Sequence, residues 1–496
     1  MTEAPPWGDT RSVNEFELKF QVPQERAAAV QAALQRGAVE RTRLRARYFD
    51  TPGQALARHG LVLRVRQEGR EHVQTAKGRG PSGFERLEHN VPVGGAEEPD
   101  PSLHDAHPVG KALRAALLGD ATQLRPVLET DIVRRSRVLK AAGTAVEVAL
   151  DQGRIRADGT SLPVLELEFE LKEGSAATLV ELAQRWAEQH GLWLDPLSKS
   201  EAGRRLADHV TEPPPVMAIA VEHAAGRSAL LAHILDAGLQ QVLGNARELA
   251  AGQGGDAHIH QLRVGLRRLR TAMHELADWS PLLARAVPEM APAIQEVFRV
   301  LGTHRDRSTL LPALREPLAA AGAPLATWEA PLPDVGAAVR AEPFQQALLR
   351  LVALVQELSG DDDGGLKAAR RSAAGRLHKL HRKTLRAGHD FHALPEPLRH
   401  GIRKRLKRLR YLSELVRPLF DGKDVDRYVA ALKGLQDALG EYQDAAAGRA
   451  LFAAHAAEDP CAWFGAGWLA LREEQLACVC EKACRDTARK AKPFWE

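Results

Sequence analysis

The stretch Glu15-Phe16-Glu17-Leu18-Lys19-Phe20 (EFELKF) alternates charged and apolar residues without a break. On a β-strand successive side chains point to opposite faces, so Glu15, Glu17 and Lys19 share one face and Phe16, Leu18 and Phe20 the other. Alone, such a hexapeptide reads as a half-exposed strand with its polar face in water. The pattern recurs, however. Over residues 13–206, candidate strands follow at LVLRVRQ, EHVQTAK, FERLEHNVPV, DIVRRSRVL, AVEVALDQG, GRIRAD and VLELEFELK, with turn signals such as KGRGPSG between them. Eight short strands predict a barrel or a strongly curved sheet. Helical segments are expected at 25–36 and 176–190.

The charged faces are sorted by sign. Arg64 and Arg66 share a face, as do Arg86 and Glu88, while Glu166, Glu168 and Glu170 stand opposite Leu165, Leu167 and Phe169. Lys77 lies on VQTAK, and Glu147 and Asp151 keep one parity on VEVALD. A solvated face needs no such sorting. In a closed lumen, rows of like charge repel and shift each other's pKa values, so a ligand that neutralises both signs is expected. Oxyanions accept the forks of Arg and Lys, and a hard divalent cation takes carboxylate oxygens while bridging to phosphate. A polyphosphate with its metal meets both needs.

Three prolines in TEPPPV (211–216) forbid regular structure and mark a linker. Beyond it the apolar period becomes 3.6 and the sequence reads as all-helical, interrupted at DDDGG (361–365). The two helical halves look duplicated. HQLRVGLRRLR and HGIRKRLKRLR place His260, Arg263, Arg267, Arg270 and His400, Arg403, Lys407, Arg410 at the same offsets, and each is followed by a similar turn, LGTHRD or LGEYQD. On a helix these offsets fall within an arc of about 80° over about 15 Å of axis, which makes two basic stripes. Arg376, Lys379, Lys383 and Arg386 repeat the spacing without the histidine. Phosphates of a nucleic acid would suit such stripes, but no stacking aromatics are interleaved with them, so a linear polyanion without bases fits better. HIH at 258–260 looks metal-like, yet residues two apart on a helix do not face one another.

The whole chain of 496 residues is 44% hydrophobic and 27% charged, enough for two or three globular cores. A net charge of +4 conceals local runs: residues 367–417 hold 16 Lys and Arg against three acids. Cys461, Cys478, Cys480 and Cys484 form no CxxC pair and read as thiols in a reducing cytoplasm. The opening MTEAPPWGDTRS lacks the apolar core of a secretory signal, and no apolar run reaches the roughly 18 residues of a membrane helix. No P-loop, GxSxG or HExxH motif points to another enzyme class.

The ordered set of ExExK, YFDTPGQALARHGLVLRVR (48–66), the lysine of QTAKG, the RLE at Arg86, LELEFELK (165–172) and LSKSEAGRRL (197–206) resembles the CYTH domain, the triphosphate tunnel metalloenzymes. The likeness covers about the first 210 residues. It implies an eight-stranded antiparallel tunnel that hydrolyses or cyclises triphosphates with Mg²⁺ or Mn²⁺. Carried over, Glu15, Glu17, Glu166, Glu168 and Asp151 serve the metals. Lys19, Arg64, Arg66, Lys77, Arg86, Arg134 and Lys199 hold phosphate oxygens, Arg134 competing with Arg135 for its place. Glu88, Glu147 and Glu170 join the metal side or orient the bases, and Glu15 or Glu17, beside Lys19, handles the attacking water.

The duplicated helices, paired with a CYTH domain, resemble the CHAD domain, whose two pseudo-symmetric halves form a basic groove for inorganic polyphosphate. That likeness places His260, Arg263, Arg267, Arg270, His400, Arg403, Lys407 and Arg410 in the groove, with Arg376, Lys379 and Lys383 as helpers. The expected architecture is therefore α+β: a CYTH tunnel with flanking helices over 1–212, then a duplicated all-α CHAD bundle over 213–496 with repeats near 217–360 and 366–490. The expected activity is metal-dependent hydrolysis of inorganic triphosphate in the cytoplasm, at polyphosphate granules if the helical half targets them. The alternatives are a non-catalytic polyphosphate-binding protein, a nucleoside or thiamine triphosphatase, and an adenylate cyclase.

Overall fold

The computed structural model describes residues 13–80, 83–118, 124–214, 219, 226–324, 328–359 and 365–496. The first 12 residues, the last two residues of TEPPPV, residues 81–82 of KGRGPSG and residues 361–364 of DDDGG lie outside them. The chain divides into two compact units between Pro214 and Pro215.

In the first unit eight strands close on themselves: β1 (Val13–Gln21), β2 (Glu40–Asp50), β3 (Val62–Glu68), β4 (Glu71–Arg79), β5 (Glu85–Pro92), β6 (Arg125–Ala141), β7 (Thr144–Ala157) and β8 (Thr160–Glu173). All pairings are antiparallel, in the order β5-β4-β3-β2-β6-β7-β8-β1, and a β5–β1 pairing completes the ring. A two-residue strand, β9 (Trp193–Leu194), adds to β1.

The count of eight agrees with the sequence reading, but its members differ. AVEVALDQG and GRIRAD are one continuous strand, β7, because Gly153 keeps ladder register against Ile132 and Val164. The place this frees is taken by β2, ERTRLRARYFD, which the period-two search passed over. Its apolar face holds only Leu44, Ala46 and Tyr48, between four arginines.

The apolar faces of most strands point out of the barrel and are roofed by helices. Phe20 and Phe169 meet edge to face at 5.6 Å, and Phe169 meets Trp186 of α4 (Ala176–His190) at 6.0 Å. Helix α1 (Ala27–Leu34) adds Val30 and Leu34, the short α2 (Ala55–Arg58) adds Leu56, and α3 (Pro108–Leu117) covers Leu63 and Ala76 with Val109 and Leu113. Each fully buried Phe or Leu is worth about 1.5–3 kcal/mol, and the burial fixes strand parity, since a one-residue slip would turn the charges outward. Inside the barrel one stretch is apolar: Leu44, Leu128, Ile132, Ile155 and Val164 receive Ala202 and Leu206 of α5 (Lys199–Ala207). Gly203 permits that approach, since a Cβ there would lie 2.7 Å from Leu128 Cδ2. Ser198 caps α5 by accepting from Glu201 N at 3.2 Å, which sets Lys199 at the first helical position.

The second unit is helical: α6 (Arg227–Ala250), α7 (Asp256–Glu275), α8 (Pro281–Arg305), α9 (Leu311–Ala320), α10 (Val335–Arg340), α11 (Glu342–Ser359), α12 (Gly365–Ala387), α13 (Glu396–Leu415), α14 (Gly422–His455) and α15 (Ala462–Lys490). A π-turn at Asp306–Leu310 follows α8. Helices α6, α7, α8 and α11 pack together, α12 to α15 pack together, and α7 meets α13 between the groups. Leu262, Leu266 and Leu269 of α7 and Ile402, Leu406 and Leu409 of α13 are buried at helical spacing, which leaves each basic stripe on the flank of its helix. Among the described residues, no helix is long and apolar enough to cross a membrane.

Candidate active site and basic groove

The barrel encloses a cavity of about 810 Å³. Register places its lining: Glu17 lies directly opposite Glu170, Lys19 opposite Glu168, Glu15 opposite Arg86, Lys77 opposite Glu88, and Arg134 opposite Asp151, itself opposite Glu166. The lumenal charges expected from parity line the cavity except Glu166, which is buried behind it against Lys199 and Gln21. Arg134 is the inward member of its pair, whereas Arg135 turns outside and donates to Gln152 Oε1 at 2.6 Å.

The charges divide into two neighbourhoods. In the first, Lys199 Nζ lies 2.8 Å from Asp151, 2.9 Å from Glu166 and 2.7 Å from Glu168. Arg134 forks onto Asp151 at 2.7 Å through both Nε and Nη2 and also contacts Glu168. Burial raises the Glu168 carboxyl, but Lys199 and Arg134 outweigh it and hold the group well below the carboxylate range. Against burial, which lowers both, Asp151 and Glu168 lift Arg134, and Asp151, Glu166 and Glu168 lift Lys199, far above their ordinary values. Lys19 donates to the Leu197 carbonyl, which ties β1 to the turn before α5.

In the second neighbourhood acid is in excess. Lys77 pairs with Glu88 and stands 3.7 Å from Glu15. Burial pushes the Glu15 carboxyl up to about 8, with Glu88 and Glu170 adding to the rise and Lys77 opposing it. Glu170 is raised as well, first by burial, although Lys172 reaches both it (2.5 Å) and Glu147 (2.8 Å). Glu15, Glu17 and Glu170 therefore form a patch of hard oxygen donors that the protein's own cations leave undercompensated. That chemistry suits a divalent cation held by oxygen ligands. Glu166, Glu168 and Asp151, by contrast, are already matched by Lys199 and Arg134. Among the described residues, no three His, Cys, Asp or Glu side chains are gathered in a finished metal-ligand arrangement.

Two lumenal groups escaped the sequence reading. Tyr48 is buried beside Arg64; burial raises its phenol, but Arg64, Lys199 and Arg66 bring it below its usual value. It is the one aromatic ring among the described residues lining the cavity. Lys172 ends the LELEFELK row, and its alternation with Glu170 was the signal that could have found it.

In the helical unit α7 and α13 bring their stripes together. Lys407 is pushed down to about 6, first by burial and then by Arg267, Arg403, Arg410 and Arg263. Arg263 and Arg403 are each brought to about 10 by burial and then Arg267. His260 is lowered by burial and by Arg267 and Arg263, and His400 meets Gln443 Oε1 through Nδ1 at 2.8 Å. No aromatic is interleaved in the stripe's own sequence, but Phe298 of α8 lies beneath it. Arg263, Arg267 and Arg270 sit 5.1, 5.3 and 5.0 Å from its ring centre. The third stripe is not drawn in: Arg376 pairs with Asp278 at 2.6 Å, and Lys379 and Lys383 are exposed on α12. His258 is buried and meets the Gly255 amide through Nδ1 at 3.3 Å, while His260 is exposed, so HIH makes no pair of ligands.

A closed antiparallel tunnel with a mixed-charge lumen, followed by a helical unit with converging basic stripes, defines a two-domain class. Residues 14–203 match the model of the CYTH domain and residues 233–453 that of the CHAD domain, so the chain carries a CYTH domain followed by a CHAD domain. An inorganic triphosphatase of Haemophilus influenzae is 31% identical over 160 residues, 32% of this chain and 44% of that protein. The chain thus spans less than half the length of that curated relative. Among solved structures, the CHAD domain from the plant Ricinus communis is 23% identical, covering 57% of this chain and 98% of its own, with a TM-score of 0.46. A Hippeastrum protein studied as an adenylyl cyclase, with a dominant triphosphatase activity, is 17% identical over 38% of this chain and 95% of its own, with a TM-score of 0.30.

Proposed function

We propose that the tunnel hydrolyses inorganic triphosphate to phosphate and diphosphate with a divalent cation, Mg²⁺ or Mn²⁺, and that the α7–α13 groove binds inorganic polyphosphate. One observation carries the first part: a lumen in which Lys19, Arg64, Arg66, Lys77, Arg86, Arg134 and Lys199, with Lys172 beside them, face a row of carboxylates, two of which, Glu15 and Glu170, burial keeps reluctant to ionise. Hydrolysis of a phosphoanhydride needs charge neutralisation and an aligned water more than covalent help. Arg64, Arg66, Lys77, Arg86, Arg134, Lys199 and Lys19 bind and orient the phosphate oxygens. A triphosphate that takes over Lys199 and Arg134 releases Asp151, Glu166 and Glu168 from their ion pairs. Glu15, Glu17 and Glu170 would hold the cation, and the released Asp151, Glu166 and Glu168 would be free to join them. The bound cation supplies Lewis-acid polarisation of phosphate oxygen. Glu15 or Glu17 orients the attacking water and accepts its proton.

Inorganic triphosphate is preferred to a nucleotide because Tyr48, the one aromatic among the described residues lining the cavity, is held by Arg64 rather than standing free to stack on a base. The relative from Haemophilus influenzae supports the same reading. For the groove, the depression of Lys407, Arg263 and Arg403, by burial first and then by Arg267, supports a polyanion, whose charge would offset the repulsion. Phosphate release from triphosphate, ATP and long-chain polyphosphate, with and without Mg²⁺ or Mn²⁺, tests the whole. Folded Glu15→Ala and Glu17→Ala chains that kept the parent rate on triphosphate would refute the assignment, and release from ATP alone would favour a nucleotide enzyme.

A further inference from the structure

The outer wall of the barrel carries a second concentration of positive charge. On β2 the residues that alternate with the lumenal Leu44, Ala46 and Tyr48 are Arg41, Arg43, Arg45 and Arg47, and the first three are exposed. Register sets Arg41 beside Arg135, and Arg45 beside Asp131, which is itself beside Arg154; Glu129 lies between Arg47 and Arg156. Three adjacent strands thus present arginines spaced about 6.8 Å apart along β2, with Arg135, Arg154 and Arg156 on the neighbouring strands and Asp131 and Glu129 each set between two arginines.

The acids among them are too few to neutralise them. Asp131 is forked by Arg43 at 2.9 and 2.7 Å and approached by Arg45 at 3.8 Å. Arg43, Arg45 and Arg156 together hold its carboxyl below the usual range, the Arg43 hydrogen bond leading. Arg47 turns to Glu97, Glu98 and Glu129. Arg154 donates to Ser161 Oγ at 3.0 Å, and among the described residues neither Arg41 nor Arg156 makes an ion pair. Among the described residues Arg41, Arg43, Arg45, Arg47, Arg135, Arg154 and Arg156 thus stand against only Asp131, Glu129, Glu97 and Glu98, and the unbalanced guanidinium groups repel. The wall is also concave, with hollows of about 590 and 330 Å³ that share Asp131 and Arg156. Arg41, Arg43 and Arg45 line the tunnel cavity too, so the arginines run up to the tunnel.

We propose that this wall is a docking track for inorganic polyphosphate, laid outside the barrel so that a chain whose end occupies the tunnel is held along its length. The inference rests on the triphosphatase reading for the identity of the chain that enters, but not for the binding itself. A polyanion charged at every repeat meets these arginines along its length. Nucleic acid fits less well, since among the described residues His72 is the one ring lining either hollow, and no Phe, Tyr or Trp offers a base a larger stacking face.

The experiment is residue-resolved phenylglyoxal footprinting of the full chain, read by mass spectrometry, with tripolyphosphate, long-chain inorganic polyphosphate or a single-stranded RNA as probe. Localising protection to Arg154 and Arg156 separates this wall from the helical groove. Long-chain polyphosphate should slow modification of both by about tenfold and tripolyphosphate should not. Unprotected arginines overturn the track, as does protection by RNA without protection by polyphosphate. In parallel, the Arg154→Gln/Arg156→Gln chain should hydrolyse tripolyphosphate at the parent rate, which shows that it is folded. Its KM for long-chain polyphosphate should rise about tenfold with kcat kept. An unchanged KM overturns the track even if tripolyphosphate is cleaved. A parent chain that cleaves neither substrate removes the triphosphatase reading, while the footprint still decides the track.

Discussion

Arg305 and Asp444 meet in a two-bond fork, Nη1 to Oδ1 at 2.9 Å and Nη2 to Oδ2 at 3.0 Å. One comes from LGTHRD and the other from LGEYQD, so the contact joins the two halves of the helical unit at the segments that mark their duplication; these are not the turns expected from sequence, since LGTHRD ends α8 and LGEYQD lies within α14. It also breaks their symmetry. Gln443 occupies in the second half the place of Arg305 in the first, and it partners His400 instead of crossing over.

Asp444 counts against the groove's positive field, because it raises Arg403 while Arg267 and Arg305 lower it. Asp444→Asn should therefore strengthen polyphosphate binding, measured by titration calorimetry, while costing stability. The fork is about a third exposed at both ends, so screening limits the cost to about 1 kcal/mol, or a fall of about 2–4 °C in Tm.

Lys407 gives the groove a pH dependence. Its folded pKa of about 6 lies below its ordinary 10.5. Below pH 6 the lysine is charged whether folded or unfolded, and the full repulsive cost stands. Between 6 and 10.5 the folded state sheds the proton first, so the cost falls and stability rises with pH. A polyanion restores the charge, so binding takes up a proton in that window. Polyphosphate affinity should weaken from pH 6 to pH 9, and the calorimetric enthalpy at pH 8 should vary with the ionisation heat of the buffer. Lys407→Met should abolish that variation.

Phe298 holds three guanidinium groups over one ring. Cation–π contacts are worth about 0.5–1 kcal/mol each at partly exposed sites, so Phe298→Leu should loosen the stripe and weaken polyphosphate binding by about 1 kcal/mol. Hydrolysis of triphosphate in the tunnel should not change.

Removal of Lys199 leaves Asp151, Glu166 and Glu168 with Arg134 as their main cation. Breaking such a buried set costs about 3–5 kcal/mol. Glu168 and Asp151 have lowered folded pKa values, so their stabilisation is present above the unfolded carboxylate range and is lost as pH falls. Lys199→Met should thus lower Tm most at neutral pH and less toward pH 4. Added Mg²⁺ should recover part of the loss, which differential scanning calorimetry will show.

The parity of EFELKF, LVLRVRQ and LELEFELK sufficed to foretell which side chains enter the lumen. A strand has only two faces, and buried Phe20, Leu167 and Phe169 can lie only under helices. The stripes of α7 and α13 were legible for the same reason, since helical spacing fixes a face. β2 was not legible, because a run of alternating arginines around Leu44, Ala46 and Tyr48 looks like a solvated segment until its neighbours bury the even positions. Nor could one strand reveal that Lys199 would gather acids from β7 and β8, that Phe298 would come from another helix to lie beneath Arg263, Arg267 and Arg270, or that Arg305 would reach across to Asp444. Periodicity determines the direction a side chain takes from its own backbone. Which charges finally stand beside one another, and hence which carboxyls resist ionising and which lysine gives up its proton, depends on distances between segments remote in sequence, and those exist only once barrel and bundle have closed.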